Sequence, residues 1–404
     1  MNQWKKDLGY GNHKYYDFLL AMILLTGVLS LFLNQSNLLI PTSLLVVIAL
    51  ASKWYDGYSG ASLKLFNHRT SIRLFPGEDT SLHFRFRNNS KAPVLNGRLS
   101  FESNSNIKAD SSITRKSSKG HQYSLPLSLM SEGEKEVRLP IKAVKRGVTK
   151  ITDIQYRFPH LIKFTSISMK FLPHYETEIV IYPNQMTVYG MEEVFQIAPG
   201  QKRASFSPFE DLLTPVGTRD YVSSDPFHRI HWKASAKTGT LQTKVYEREA
   251  DISWTIVVNV TQQTRLGNEH ISGNLENLLS YASYLCYFAA RNNYDFELLV
   301  NMRRPHEKPF FFQPEGSGNQ QLKDSLELLA RIQVSQLFMP VEELMHRLHH
   351  NLYKKKTIIF VGDIPEHTYR YIKEWNRKGL KVFQVQVEEG QAILVPFSYR
   401  GASV

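Results

Sequence analysis

The residues best suited to chemistry in this 404-residue chain crowd into one motif, positions 217–250. Arginine guanidinium groups and carboxylates at such close spacing predict charge-assisted hydrogen bonds, with arginine forks gripping carboxylates. A tryptophan within the motif offers either a large buried anchor or a cation–π face. The residues on which these interpretations rest are Arg219, Asp220, Tyr221, Asp225, Arg229, Trp232, Lys233, Ser235, Lys244 and Glu247.

Two kinds of chemistry must be weighed for this motif. Asp220 and Asp225 could form a carboxylate pair for acid–base catalysis. His228 and His231, three residues apart, would share one helical face and could bind a metal ion together with Asp225. The sequence places no second group of ligands, so we expect no metal, no cofactor and no enzymatic activity. A latch between two soluble domains and a docking surface for a partner are the favoured interpretations, and they are compatible.

Strands and helices alternate after the motif, through residues 251–404. Residues 252–260, ISWTIVVNV, form a nearly continuous apolar run, which is typical of a strand buried on both faces. Similar runs at 357–363 and 380–387 are separated from it by segments with apolar residues at helical spacing. The alternation predicts an α/β domain with a mostly parallel, doubly wound sheet.

Ligands of such sheets bind at the carboxyl ends of the strands. There the first strand ends in Asn259, Thr261 and Gln263, and a later strand ends in Asp363. One carboxylate, one hydroxyl and neutral amides are a poor set for Mg²⁺, which prefers charged oxygen ligands. Gly-Ser-Gly at 316–318 precedes no Gly-Lys-Ser/Thr element, and no Gly-x-Ser-x-Gly elbow occurs. Neither nucleotide binding nor a standard α/β-hydrolase is therefore expected.

Residues 59–183 alternate between short β-rich runs and turn residues. Segments such as SLHFRFRN and KEVRLPIKAV place apolar residues at every second position, the pattern of strands with one buried face. Six or more such runs without helical periodicity predict a β-sandwich that serves packing and interaction. The polar segment 104–122 is predicted to be a mobile loop within it. Residues 184–250 are predicted to contain two parts, a linker that extends to residue 215 and then the motif.

Two apolar runs near the N-terminus predict a transmembrane hairpin. Residues 18–33 carry no charge and, at about 1.5 Å per residue, cover roughly 24 Å of bilayer. A polar turn, 34–37, leads to the second run, 38–52, which Trp54 and Tyr55 can extend at the membrane interface. A cleaved signal peptide would need a small-residue cleavage site where the second run stands. A buried helix pair of a soluble domain is the other alternative.

Basic residues flank the hairpin on both sides, while the turn between the two runs is uncharged. Lys5, Lys6 and Lys14 precede the hairpin, and Lys53, Lys64 and Arg69 follow it. By the positive-inside rule, both ends of the hairpin domain, residues 1–58, face the cytoplasm. We therefore expect a cell-membrane protein with two spans, cytoplasmic termini and a cytosolic bulk.

The formal net charge of +12 raises binding to nucleic acid or anionic lipid as a further alternative. The basic residues are scattered among acidic ones, without a dense Lys/Arg run, so nucleic acid is not an expected partner. Proximity to the anionic lipid of an inner leaflet explains the charge more simply. The single cysteine, Cys286, excludes an internal disulfide and is expected to pack as a small hydrophobe.

The motif resembles the signature of a bacterial membrane-anchored family, the domain of unknown function 58. The matching positions are Arg219-Asp220-Tyr221, Asp225, Arg229-Ile230-His231-Trp232-Lys233, Ser235-Ala236, Leu241 and Lys244. The hairpin, the strand-rich region and the run KRGVTKITDIQYRFPHLIKF follow the same family layout. The chain departs from the pattern at Ser224, where glycine is usual, and at Lys237, where arginine is common. A third departure is His160-Leu161-Ile162, which stands in place of Pro-Phe-Gly.

The resemblance implies a C-terminal domain similar to von Willebrand A domains. Such domains hold a divalent ion with Asp-x-Ser-x-Ser, where this chain has Asn259, Thr261 and Gln263, so the site is degenerate. The resemblance also implies a partner among MoxR-type AAA+ ATPases, and transglutaminase-like membrane proteins as further partners. The function that follows is a membrane-anchored scaffold or adaptor. The alternatives are a membrane-associated enzyme that uses residues 219–247 and a binder of anionic lipid or nucleic acid.

Overall fold

The chain folds as two compact units, Met1–Tyr182 and Pro183–Val404, in a computed structural model. The residues that the structure describes are 3–7, 12–33, 37, 39–66, 71–118, 120–163, 165–191, 210–223, 225–248, 253–265, 267–303, 310–351 and 357–397.

The first unit opens with two long apolar helices, α1 (Asn12–Phe32) and α2 (Leu39–Tyr58). At about 1.5 Å per residue each is roughly 30 Å long, the thickness of a bilayer's hydrocarbon core. Only 11% of each candidate span is buried inside the chain, so their apolar side chains face outward. Both helices are therefore long and apolar enough to cross a membrane, as the sequence predicts.

The rest of this unit is made of strands. They are β1 (Trp4–Asp7), β2 (Leu63–Leu65), β3 (Ser71–Leu74), β4 (Asp79–Asn88), β5 (Val94–Ser103), β6 (Ile107–Lys108), β7 (Thr114–Ser117), β8 (Gly120–Leu129), β9 (Glu134–Ala143), β10 (Gly147–Lys150), β11 (Thr152–Pro159), β12 (Ser166–Phe171) and β13 (Glu178–Ile181). They form a six-stranded sheet in the order β1-β12-β11-β5-β8-β7, a four-stranded sheet β2-β4-β9-β6 and a three-stranded sheet β10-β13-β3. The region after the helices is thus strand-rich, as predicted.

The period-two pattern of the sequence explains how the larger sheets bury one face. In β4, Leu82, Phe84 and Phe86 are buried while the residues between them are exposed. These side chains share one hydrophobic core with Leu99 and Phe101 of β5, in the other large sheet. The burial of these apolar side chains is the main contribution to the folding free energy of such a unit.

The prediction of a mobile loop at 104–122 is wrong in its described part. The segment contains β6, a 3₁₀ turn at Ser111–Ile113, β7 and the start of β8. β6 and β7 escape a pattern search because they are short edge strands in which only Ile107 is fully buried. Edge strands expose one row of backbone groups and often carry charged side chains, so polar residues suit them.

The second unit holds five helices and eleven strands among its described residues. The helices are α3 (Trp232–Thr238), α4 (Leu275–Arg291), α5 (Gly318–Ala330), α6 (Val341–Asn351) and α7 (Tyr369–Arg377). The strands are β14 (Val188–Tyr189), β15 (Glu210–Asp220), β16 (Gln242–Arg248), β17 (Ser253–Val258), β18 (Thr261–Gln263), β19 (Glu269–Ile271), β20 (Asp295–Val300), β21 (Phe311–Gly316), β22 (Thr357–Val361), β23 (Lys381–Glu388) and β24 (Gln391–Pro396).

A seven-stranded sheet, in the order β14-β24-β23-β22-β17-β20-β21, organises this unit. Its four central strands, β23, β22, β17 and β20, run parallel. Ile256 and Val258 of β17 pack in one core with α4 and α5, and Val257 packs in another with α6 and α7. Helices therefore cover both faces, and the predicted mostly parallel α/β sheet is observed.

The sheet edges differ from the simple alternating pattern. On one side of the four parallel strands β21 pairs antiparallel with β20, and on the other side β24 pairs antiparallel with β23. The segment predicted to be a linker contributes β14, which pairs in parallel with β24, and β15, which covers residues 210–215 of that segment. Residues 192–209 of the predicted linker lie outside the described residues.

Candidate functional site

The motif forms a two-stranded antiparallel ribbon of β15 and β16 that carries a short helix. Asp220 of β15 pairs with Gln242 of β16, and between them run a 3₁₀ turn at Phe227–Arg229 and helix α3. Gly239 ends α3 with a φ of +75°, a conformation that glycine adopts without strain. The ribbon therefore brings the two ends of the motif side by side.

A bidentate ion pair joins Arg219 to Asp225 at the tip of the ribbon. Arg219 Nη1 donates to Asp225 Oδ2 at 2.8 Å, and Nη2 donates to Oδ1 at 2.7 Å. The Val222 N–H and the Thr243 hydroxyl also donate to Oδ2, at 3.2 and 3.1 Å. This is the arginine fork that the sequence predicts, and it fastens the loop to both strands.

Hydrogen bonding fixes the charge of Asp225. The Arg219 guanidinium, the Val222 N–H and the Thr243 hydroxyl lower the pKa of Asp225 to about 2. A carboxyl group with this pKa is ionised at neutral pH, so it cannot act there as a general acid and is a weak base. The geometry therefore gives Asp225 a positioning role.

Asp220 and Ser235 are also engaged within the ribbon. Gln242 Nε2 donates to Asp220 Oδ1 at 2.5 Å. Ser235 Oγ donates to the His231 carbonyl at 3.1 Å and accepts from the Gln242 N–H at 2.8 Å. His231 Nδ1 accepts from the Ala234 N–H at 3.1 Å and so caps the N-terminus of α3. These contacts tie α3 to the ribbon.

Large apolar side chains remain outside this polar network. Trp232 is 67% exposed and Phe227 is 76% exposed, and three more residues, Val222, Leu241 and Val245, are exposed as well. We call these five residues the exposed apolar set. The interpretation of Trp232 as a buried anchor is therefore wrong, because α3 presents that side chain to solvent while Lys233 and Lys237 beside it are also exposed.

The remaining predicted motif residues are less fully placed. Tyr221 has its ring 6.1 Å from that of Phe227. Arg229 lies in the 3₁₀ turn and Lys244 in β16, both half-buried. The side chain of Glu247 and residue Ser224 lie outside the described residues.

A second polar cluster lies at the carboxyl edge of the parallel strands. Asn259 follows β17 and is 1% exposed, and its Nδ2 donates to the main-chain carbonyl of Asp363 at 2.7 Å. Its Oδ1 accepts three hydrogen bonds: from Thr261 N at 3.1 Å, Thr261 Oγ1 at 2.8 Å and Asn301 Nδ2 at 2.7 Å. Gly362 is needed there, because a Cβ would lie 2.3 Å from the Asn259 carbonyl oxygen.

This edge brings together only part of the predicted set. Asn259 and Thr261 meet, and Asp363 contributes its carbonyl oxygen, while its side chain is exposed. Gln263 is exposed in the β18–β19 ribbon, paired with Glu269. In the part of the chain that the structure describes, no group of three or more His, Cys, Asp or Glu residues is arranged to hold a metal ion.

Sequence reasoning misses two residues of this edge. Asn301 is fully buried after β20, and its Oδ1 accepts from the Val260 N–H at 2.7 Å. The only signal in the sequence is an asparagine at the end of an apolar strand. Glu269 is the other, since burial raises the pKa of its carboxyl group and Glu342 raises it further, against the opposing effect of His367. Glu342 and His367 are both distant from Glu269 in sequence, so no local pattern predicts this cluster.

The chain thus combines two helices that are long and apolar enough to cross a membrane, a strand-rich unit and an α/β unit. Residues 217–396 match the family described as "Protein of unknown function DUF58". This match covers the motif and most of the α/β unit, and it supports the resemblance found from the motif residues. The search of curated proteins finds no match.

Three solved structures illustrate the structural comparison. A red sea bream transglutaminase is 14% identical, with 30% of this chain and 14% of that chain covered and a TM-score of 0.18. A putative membrane anchored protein from Corynebacterium diphtheriae is 8% identical, with 31% and 35% covered and a TM-score of 0.20. A cohesin from Archaeoglobus fulgidus is 10% identical, with 34% and 97% covered and a TM-score of 0.19. TM-scores of this size do not indicate a shared fold, and the chain spans only 14% of the transglutaminase.

Proposed function

We propose that this protein is a membrane-anchored adaptor that acts through protein–protein contacts and is not an enzyme. The observation that carries the proposal is the pair of exposed aromatic residues, Trp232 and Phe227, on a ribbon tip fixed by the Arg219–Asp225 ion pair. Aromatic side chains presented on a rigid element are the residues that most often dominate protein interfaces.

The polar part of the motif supports a docking role over catalysis. Asp225 accepts hydrogen bonds from Arg219, Val222 and Thr243, and Asp220 accepts one from Gln242. Both oxygens of Asp225 and one oxygen of Asp220 thus take part in holding the loop. The exposed side chains of Phe227, Trp232 and Lys233 beside them are apolar and basic, which suits a protein partner with an apolar pocket and an acidic rim.

We take the partner to be a MoxR-type AAA+ ATPase, as the family resemblance implies, with transglutaminase-like membrane proteins as further candidates. In this proposal the strand-rich unit is a β-sandwich and the α/β unit is a von Willebrand A-like domain whose metal position is degenerate. The neutral Asn259 amide stands where such domains need a carboxylate, and its oxygen already accepts hydrogen bonds from Thr261 and Asn301. The docking of a partner would then need no divalent ion.

The proposal places the protein in the cell membrane with two spans and both termini in the cytoplasm. The positive charges at both ends of the hairpin support this orientation. The pairing of β1 with β12 supports a common side, because β1 precedes both helices and β12 follows them.

Co-purification from native membranes tests the adaptor role. The full chain, solubilised in detergent, serves as bait with ATP, with ADP and without nucleotide. We expect an AAA+ ATPase to be recovered with the natural protein. Trp232→Ala should reduce that recovery about tenfold or more, since alanine at an aromatic hot spot costs about 2 kcal/mol or more.

The matched control is Leu337→Ala, which removes a 73% exposed apolar side chain elsewhere in the same unit and should leave recovery unchanged. Recovery of no ATPase under any nucleotide condition would count against the proposal. Equal recovery with Trp232→Ala would instead remove the ribbon tip as the docking site.

A further inference from the structure

The second membrane helix enters the strand-rich unit without an intervening linker. Tyr55, one turn before the end of α2, is 2% exposed and belongs to the core of that unit. Its hydroxyl donates to the Pro93 carbonyl at 3.1 Å, and its ring meets that of His160 edge-on at 4.7 Å. Tyr55 is thus a core residue, where the sequence suggests a membrane-interface residue.

The turn between β11 and β12 reaches the ends of both helices through buried polar side chains. Lys163 donates to the Asp56 carboxylate of α2, and it also donates to the Tyr16 hydroxyl of α1 at 3.1 Å. The Lys163 ammonium lies 4.2 Å from the centre of the Tyr16 ring. Its side chain is 1% exposed, so this turn holds α1 and α2 together at one point.

His160 completes the cluster from the same turn. Its Nε2 lies 3.2 Å from Asp56 Oδ1, an ion-pair distance at which the two atoms are not aligned for a hydrogen bond. Burial holds the pKa of His160 below its usual value, so the ring is largely neutral at pH 7. Its Nδ1 accepts from the N–H groups of Ile162 and Lys163, at 3.1 and 3.0 Å, which fixes the shape of the turn.

The N-terminal strand is fastened to the same helix end. Lys6 of β1 donates from Nζ to the carbonyls of Asp56 and Ser59, at 2.6 and 2.7 Å, and to Ser59 Oγ at 3.0 Å. The end of α2 is therefore held by β1 as well as by the turn 160–163.

These contacts set the depth of the turn relative to a bilayer. The candidate spans are Lys14–Phe32 and Leu39–Tyr58, and the cluster involves Tyr16 at the start of one and Asp56 in the last turn of the other. The turn 160–163 thus lies level with the boundary of both spans. Leu161 in this turn is 48% exposed, and Trp54 and Tyr58 of α2 are exposed to a similar extent.

We propose that the turn 160–163 is a third membrane-contact element, in which Leu161 inserts into the lipid interface beside the two spans. Trp54 and Tyr58 are residue types that favour the same interfacial layer. The occupant of this surface is the lipid of the bilayer itself, because the surface is continuous with the ends of both candidate spans. The inference rests on the proposed function only in taking α1 and α2 as membrane spans.

Spin-label depth measurements in nanodiscs of phosphatidylcholine and phosphatidylglycerol test the proposal. Single cysteines are placed at Leu161, at Leu24 near the middle of the first candidate span and at Leu172, which is exposed just beyond the other end of β12. The native Cys286 is fully buried and replaced by alanine as a precaution. We expect the label at 24 in the hydrocarbon, the label at 172 in water, and the label at 161 several-fold less accessible to a water-soluble nickel relaxant than the label at 172.

The three labels distinguish a failure of the contact element from a failure of the spans. Equal relaxant access at 161 and 172, with the label at 24 in hydrocarbon, would overturn the membrane-contact element and leave the anchor intact. Relaxant access at 24 would overturn the spans themselves and the contact element with them. Lys163→Gln, which loosens the turn, should move the label at 161 toward water; an unchanged depth would contradict the positioning role of the cluster.

Discussion

At the scale of single residues, Asp225 shows how an ion pair fixes the conformation of the motif. Four hydrogen bonds reach its carboxylate, two of them from Arg219 and one each from Val222 and Thr243. Charge-assisted bonds of this geometry order a loop by restricting it to one arrangement. The role of the Asp225 carboxylate is therefore to fix the loop that presents the exposed side chains around it.

Asp225→Asn should loosen the ribbon in a pH-dependent manner. The folded-state pKa of Asp225, about 2, lies below the ordinary value of 3.8 for an aspartate, so the carboxylate stabilises the ribbon above pH 3.8 and loses that effect as pH falls toward 2. We expect faster amide hydrogen exchange over residues 210–248 at pH 7, with the difference from the natural protein shrinking below pH 4. Arg219→Gln should give the same profile, and the double variant should add little. A pH-independent difference would refute the assignment.

Trp232→Ala should weaken binding to a partner while leaving the stability of the protein nearly unchanged. Because its side chain is 67% exposed, Trp232→Ala should change the free energy of unfolding by no more than about 0.5 kcal/mol. A buried tryptophan would cost roughly 3–5 kcal/mol on the same substitution. Thermal unfolding of the detergent-solubilised variant distinguishes the two, and a large fall in Tm would mean that Trp232 packs inside the protein.

At the scale of elements, the carboxyl edge of the α/β sheet is closed by neutral hydrogen bonds. Asn259 and Asn301 link the ends of β17, β20 and β22, with Thr261 between them. Each of these three side chains donates or accepts within the cluster, so the cluster is polar but uncharged. A divalent ion bound to Asn259 Oδ1 would have to displace three donors.

Asn259→Asp should therefore destabilise the α/β unit. The carboxylate cannot donate to the Asp363 carbonyl and is buried without a cation, which costs about 1–3 kcal/mol for the unpaired groups. We expect a lower Tm for the variant, and no response of the natural protein's Tm to added Mg²⁺ or to EDTA. The control is Asp363→Asn, whose exposed side chain leaves the carbonyl contact unchanged. A rise in the natural protein's Tm with Mg²⁺ would show that the edge binds metal.

Sequence patterns predict the central elements of both units better than their edges. The apolar run at 252–260 predicts β17 because both faces of that strand are buried, and SLHFRFRN predicts β4 because only one face is. β7 and β14 escape prediction because an edge strand needs few buried side chains. Asn301 escapes because its partners, Asn259 and Met339, lie 42 and 38 residues away in sequence.

The candidate site follows the same rule. The Arg219–Asp225 pair is predictable because its members are six residues apart and opposite in charge. The exposure of Trp232 is not predictable, since it depends on which side of the ribbon α3 packs against. His160-Leu161-Ile162, a departure from the family pattern, lies in the turn 160–163 that contacts both candidate spans through His160 and Lys163.

At the scale of the whole molecule, one strand pairing constrains how the chain can cross a membrane. Trp4 of β1 pairs with Phe171 of β12, and both candidate spans lie between these strands in sequence. A chain that crosses twice returns to its original side, so two spans are compatible with this pairing and one span is not. The N-terminus and the strand-rich unit must then share a compartment.

Cysteine labelling in cells tests this arrangement and its orientation. Single cysteines replace Lys5 in β1, Asn37 between the helices and Lys116 in β7, all of them exposed, while the native Cys286 is buried. A membrane-impermeant thiol reagent should label position 37 in intact spheroplasts, and positions 5 and 116 only after permeabilisation. Labelling of 116 from outside would reverse the proposed orientation. If only one of positions 5 and 116 were labelled from outside, β1 and β12 could not be paired in the cell. That result would contradict the two-span hairpin itself.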